Sequence, residues 1–175
     1  FSETPQELID VRASETHLFM SAHFADDASD MRILYTKIGE WDTWNELTYQ
    51  KDTLFGIQRR AGYPSMIDNF VVYFDYNIAV QFCDLDKGDA GCFKISKDDE
   101  YGRYPLFKDK NTVIYSSQET TGEKKSKIVM ADITDRENIK YSTIYEGEGT
   151  AALGSYDVDD KYLIIKRRYD LSDKE

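Results

Sequence analysis

Cysteine, proline, histidine and tryptophan are all scarce in this chain: two, three, two and two among 175 residues. Each shortage closes off chemistry. Cys83 and Cys92 make one bridge at most, so neither a four-cysteine zinc site nor a disulfide-dense scaffold is available. His17 and His23 are the only histidines, and no cysteine or carboxylate cluster accompanies them at zinc spacing. Their even separation puts them on one side of a strand, where packing is the expected role. Three prolines and ten glycines are too few for a low-complexity chain. No apolar run approaches the roughly 18 residues that a membrane-spanning helix needs. A P-loop, a Gly-x-Gly-x-x-Gly turn and a Gly-x-Ser-x-Gly elbow are all missing. Phe1 to Pro5 have neither the basic nor the apolar region of a signal peptide. The start on Phe rather than Met suggests a processed chain or an excised segment.

Basic charge is short as well. Lys and Arg total 22 against 33 Asp and Glu, a net charge of −11. That balance disfavours nucleic acid and anionic membrane as partners. It reads first as a solvated acidic surface.

What the chain does have is aromatic and β-branched residues. Aromatics make up 14%, with 13 Tyr and 9 Phe, a composition that suits strands. Short apolar runs bounded by Gly, Asp, Asn and Ser predict strands over 6–12, 16–24, 31–38 and 44–49. A second group is expected over 53–59, 70–75, 78–84 and 92–96. A third is expected over 103–107, 112–118, 127–133 and 139–145, and a fourth begins with 151–158 and 161–166. The only helix-like fragment, 135–138, is too short to be more than a turn.

The groups repeat one another. Tyr63-Pro64 leads through Asp68 into Phe70-Val71-Val72-Tyr73. Tyr104-Pro105 leads through Asp109 into Thr112-Val113-Ile114-Tyr115. Cys83-Asp84-Leu85 matches Ala131-Asp132-Ile133, and Thr36-Lys37-Ile38 matches both loosely. The period is about forty to fifty residues. Units of roughly 6–50, 53–96, 100–145 and 148–175 follow, within one all-β domain over 1–175.

Four-stranded units at this period, with no helix between, resemble the blades of a β-propeller. The Pro, the acidic turn, the Val-Val-Tyr strand and the Asp-Leu strand end look most like the blades of TolB-like and related families. The Trp-Asp signature of WD40 repeats does not recur, and the double glycine of Kelch repeats is missing. Stacking of blades would bury both faces of each sheet, as the two-sided apolar strands Phe70 to Phe74 and Tyr162 to Ile165 require. The resemblance implies about three and a half blades. Closing such a ring needs another chain or further residues, because end blades would otherwise expose sticky edges. The alternative fold is a lipocalin-like up-and-down barrel or a β-sandwich of about eight longer strands.

The chemistry candidates are few. Cys83 and Cys92 flank a Gly-containing loop and are expected to bridge across a hairpin, which implies an oxidising, secreted or extracytoplasmic location. Asp84, Asp86 and Asp89 alternate like the start of a calcium loop, but the fifth position is Gly88 and no bidentate Glu follows at the right spacing, so they read as an acidic turn. No metal and no cofactor is expected. Asp68 and Asp109 hold equivalent positions and read as turn formers. Trp41, Trp44, Arg59, Arg60 and Tyr63 gather aromatic and guanidinium groups between the first two units and form the candidate ligand-binding patch. Tyr63-Pro64 and Tyr104-Pro105 themselves read as scaffold, with function expected where repeats disagree, at 39–44, 59–62 and 83–92. The expected function is a binding module for a protein or carbohydrate partner rather than an enzyme. The alternatives are a carbohydrate-active hydrolase or lyase with channel-lining carboxylates and a small-ligand-binding secreted barrel.

Overall fold

The computed structural model describes residues 5–24, 31–48, 62–75, 79–119, 126–147, 153–158 and 163–167. They form an all-β chain. The first sheet is β1 (Glu7–Ala13), β2 (His17–His23), β3 (Met31–Lys37) and β4 (Asn45–Leu47). The second is β5 (Gly62–Ile67), β6 (Phe70–Asp75), β7 (Ala79–Asp84) and β8 (Cys92–Lys94), with a single 3-10 turn at Gly88–Gly91 before β8. The third is β9 (Glu100–Asp109), β10 (Thr112–Glu119), β11 (Ser126–Asp132) and β12 (Lys140–Gly147). A hairpin of β13 (Leu153–Val158) and β14 (Leu163–Arg167) follows.

Each four-stranded sheet is an antiparallel meander in chain order. Phe70–Asp75 and Thr112–Glu119 are second strands of separate sheets, not rungs of one barrel wall, so the single-sheet barrel alternative is set aside. The lead strand of the second sheet is Gly62–Ile67, the Tyr-Pro segment itself. The expected lead over 53–59 lies outside the described residues. No helix among the described residues is long and apolar enough to cross a membrane.

The repeat read in the sequence has a backbone counterpart. At the end of each third strand, one amide donates to the carbonyl at the turn into the second strand. Ile38 N bonds Thr16 O at 2.8 Å, Leu85 N bonds Asn69 O at 2.9 Å, and Ile133 N bonds Asn111 O at 2.8 Å. Asp109 Oδ1 accepts from Asn111 N at 2.9 Å, the Asx bond expected of that turn. The 135–138 fragment is a turn closed by Asn138 N to Asp135 O at 3.1 Å.

The sheets stack face to face. Phe19, Ile33, Tyr35 and Leu47 of the first sheet pack against Val71, Tyr73, Cys83 and Leu85 of the second. The other face of the second sheet, with Val72, Val80, Phe82 and Ile95, packs against Phe107, Val113, Tyr115, Val129, Ala131 and Ile133. Neighbouring residues Val71 and Val72 thus serve two cores, because successive strand side chains point to opposite faces. Arg136, exposed in the β11–β12 turn, lies over the rings of Phe70, Phe82 and Phe93, 4.9 Å from the Phe82 centroid.

The first strands adjoin one another. Arg12 Nε of β1 donates to Pro64 O of β5 at 3.1 Å, and Phe107 N of β9 donates to Ser65 Oγ of β5 at 3.2 Å. The fourth strands of the first two sheets, β4 and β8, are only three residues long.

Candidate functional site

The Tyr-Pro pairs are backbone bulges. Pairing of β5 with β6 skips from Gly62 to Ser65, and pairing of β9 with β10 skips between Leu106 and Arg103. Tyr63 and Tyr104 both take φ of +52°, a left-handed conformation that an aromatic residue adopts at a cost. The proline fixes the next φ and has no N–H, so the skipped position leaves no unpaired donor. The first strands of the other two sheets are also irregular, between Leu8 and Asp10 and between Leu153 and Ser155. Opposite the two Tyr-Pro bulges sit Tyr73 and Tyr115, both buried.

The bulges turn two tyrosines toward each other. The Tyr63 and Tyr104 rings meet edge to face with centroids 4.6 Å apart. Phe74 stacks on Tyr63 at 6.1 Å and lies 6.3 Å from Tyr104. Tyr63 remains 53% exposed, so this cluster is surface rather than core. Beside it, Arg12 reaches the Pro64 carbonyl and pairs with Asp10 at 3.1 Å. The result is an aromatic face next to a guanidinium and a carboxylate, carried on the adjoining first strands and on β6. Such a face can stack on a ligand while the charged pair supplies directional hydrogen bonds.

The residues expected to form one patch do not all converge. Trp41, 55% exposed, and the half-buried Trp44 lie in the β3–β4 turn. That turn shares its end of the sheet with the β1–β2 turn, through Ile38 N to Thr16 O. The β1–β2 turn in turn meets Asp68, whose carbonyl accepts from Ser14 Oγ. Tyr63 sits at the opposite end of β5 from Asp68, so the β3–β4 turn that carries the tryptophans is linked to the other end of that strand. Arg59 and Arg60 lie outside the described residues. Tyr104, Phe74, Arg12 and Asp10 complete the surface around Tyr63. Of these, Tyr104 is visible in the sequence as half of the repeat, where its pairing with Pro105 reads as scaffold.

The acidic loop ties sheets together. Cys83 and Cys92 are directly opposite in the β7–β8 ladder and form a disulfide, as the hairpin spacing predicts. Within the loop they enclose, three carboxylates diverge. Asp84 is buried; it accepts from Asn69 Nδ2 at 2.7 Å and pairs with Lys87 at 3.2 Å. Asp86 pairs with Lys37 at 2.8 Å, and that ammonium holds its carboxyl below the usual carboxylate range. Asp89 accepts from Thr48 N at 2.7 Å and also from the Thr48 hydroxyl. Gly88, at φ +57°, lets the loop approach the Tyr35 hydroxyl closely. Two of the three carboxylates therefore reach across to the first sheet, which is the role of a strap and not of a cation loop.

His17 and His23 both lie on the buried face of β2. His17 Nδ1 meets Thr16 Oγ1 at 3.0 Å, and Nε2 is 3.8 Å from Asp86 Oδ1. Burial pushes the His17 imidazole below its ordinary value, with Asp86 opposing the shift. No protein-family profile, curated protein or solved structure matches the chain.

Proposed function

We propose that the chain is a binding module built on a β-propeller-type scaffold, with its ligand surface at the bulged first strands. The observation that carries this reading is the pair of strained tyrosines at equivalent bulges in adjacent sheets. Strain of this kind costs about 1–3 kcal/mol per residue, and at Tyr63 it falls on a residue that remains 53% exposed. Bulges that re-aim side chains are enriched next to functional sites. Three face-to-face sheets whose first strands adjoin support the propeller reading, with those strands facing the central axis. Among the described residues, the carboxylate placed at this surface is Asp10, engaged by Arg12. The Cys83–Cys92 bridge supports an oxidising, extracytoplasmic setting.

The test is a ring-resonance titration. The protein carries labelled tyrosines, and the probes are neutral hexasaccharides and extended peptides. Binding should move the Tyr63 and Tyr104 signals first, and Tyr63→Ala or Arg12→Ala should weaken it at least tenfold. A panel that moves neither ring, or one whose binding maps to Trp41, counts against the reading.

A further inference from the structure

The interface between the second and third sheets holds three buried polar atoms that no described group satisfies. They are Glu100 Oε2, Tyr115 Oη and Ser117 Oγ. Their residues are 8%, 0% and 2% exposed. All three come from two adjacent strands and share one face. Ser117 lies directly opposite Gly102, and Glu119 lies directly opposite Glu100. Tyr115 is two residues before Ser117 on β10 and faces the second sheet within its core. The Tyr104-Pro105 bulge makes this possible. It reverses the alternation of β9, so that Phe107 and Glu100, an odd and an even position, point the same way.

The surroundings seal the site without filling its bonding capacity. Gly102 admits the second sheet so closely that a Cβ there would stand 2.8 Å from Val80 Cγ2 and 2.9 Å from Ser96 Cβ. Lys97 Nζ takes the other carboxylate oxygen, at 3.9 Å from Oε1. Ser96 Oγ is occupied by Val80 N at 3.0 Å, and the Tyr141 hydroxyl by Ile95 O at 2.7 Å. A buried polar atom without a partner costs about 1–3 kcal/mol, and native interiors answer such sites with ordered water making about three hydrogen bonds.

We infer that Glu100 Oε2, Tyr115 Oη and Ser117 Oγ together hold one internal water molecule that bridges β9 and β10. The two hydroxyls each donate or accept, and the carboxylate oxygen accepts, so a single water meets all three. Burial, with Glu100 adding to it, pushes the Tyr115 phenol upward, so the hydroxyl stays protonated and remains available as a donor. One carboxylate oxygen and two hydroxyls suit a neutral molecule better than a divalent cation, which takes six or more oxygen ligands when it is calcium. None of these three residues belongs to the ligand surface around Tyr63.

The experiment combines two readouts. In the intact wild-type protein, water-to-protein cross-relaxation NMR should show a long-lived water contacting the Tyr115 ring and the Ser117 amide. In urea unfolding, Tyr115→Phe and Ser117→Ala should each lower the midpoint, and the double variant should lower it by less than the sum. Tyr115→Phe keeps the ring in the core and so tests only the hydroxyl. A higher or unchanged midpoint for Tyr115→Phe, additive effects, or a direct Tyr115–Glu100 hydrogen bond with no water signal would overturn the inference.

Discussion

Tyr63 and Tyr104 occupy backbone positions where a residue without Cβ would be at ease. Gly in a strand interior normally costs roughly 0.5–1 kcal/mol relative to Ala. At these two positions the order should reverse, because a left-handed L-residue loses about 1–2 kcal/mol that Gly avoids. Urea unfolding of Tyr104→Gly and Tyr104→Ala is therefore expected to rank Gly as the more stable by about 1 kcal/mol; the usual strand order would refute the bulge. His17 gives a second expectation at this scale. Its imidazole is held below 6.5 by burial, so unfolding takes up a proton as the pH falls below that value. Stability should drop from pH 7 to 5 and level off only below the folded pKa. His17→Gln should flatten that slope in a thermal-melt series, and an unchanged slope would assign it to other groups. The sequence placed His17 and His23 on one strand face through parity alone, and both are buried there. It could not show Asp86 beside His17, since 69 residues of chain separate them.

At the scale of single elements, the Cys83–Cys92 hairpin holds the loop that grips the first sheet. Removing the bridge should cost roughly 2–4 kcal/mol. The more specific expectation is local. The Thr48 amide, bonded to Asp89 Oδ1, should exchange faster with deuterium after reduction, while amides of β10 keep their protection. Equal acceleration in both would mean that the bridge acts only on global stability. Strands were the most legible elements. Apolar runs set off by Asp, Gly and Asn placed β2, β6, β10 and β11 to within a residue or two, because turn chemistry punctuates the chain there. The lead strands were harder to read. The sequence leaves Pro64 outside any expected strand, since proline removes a ladder donor, yet it sits inside β5 at a bulge, as Pro105 sits inside β9. The same prolines hid the candidate site. A repeated Tyr-Pro looks like scaffold until the backbone shows that its tyrosine is turned out of the ladder.

For the molecule as a whole, the second sheet is the keystone, buried on both faces between the first and third. Phe82, fully buried among Phe70, Phe93 and Phe107, should cost about 3–5 kcal/mol on truncation to Ala, and a loss below 1 kcal/mol by urea unfolding would deny the stack. The four-stranded units and their order were readable from the period, because each meander is local in sequence. How the units face one another was not, since that depends on side chains from strands forty or more residues apart. The central claim is that the first strands of successive sheets adjoin and bring their bulged tyrosines together. Nuclear Overhauser cross-peaks between selectively labelled Tyr63 and Tyr104 rings test it most directly. With ring centroids 4.6 Å apart, strong cross-peaks are expected, and they should vanish in Tyr104→Ala. Folded protein with no cross-peak between these rings would contradict both the stacking and the surface built on it.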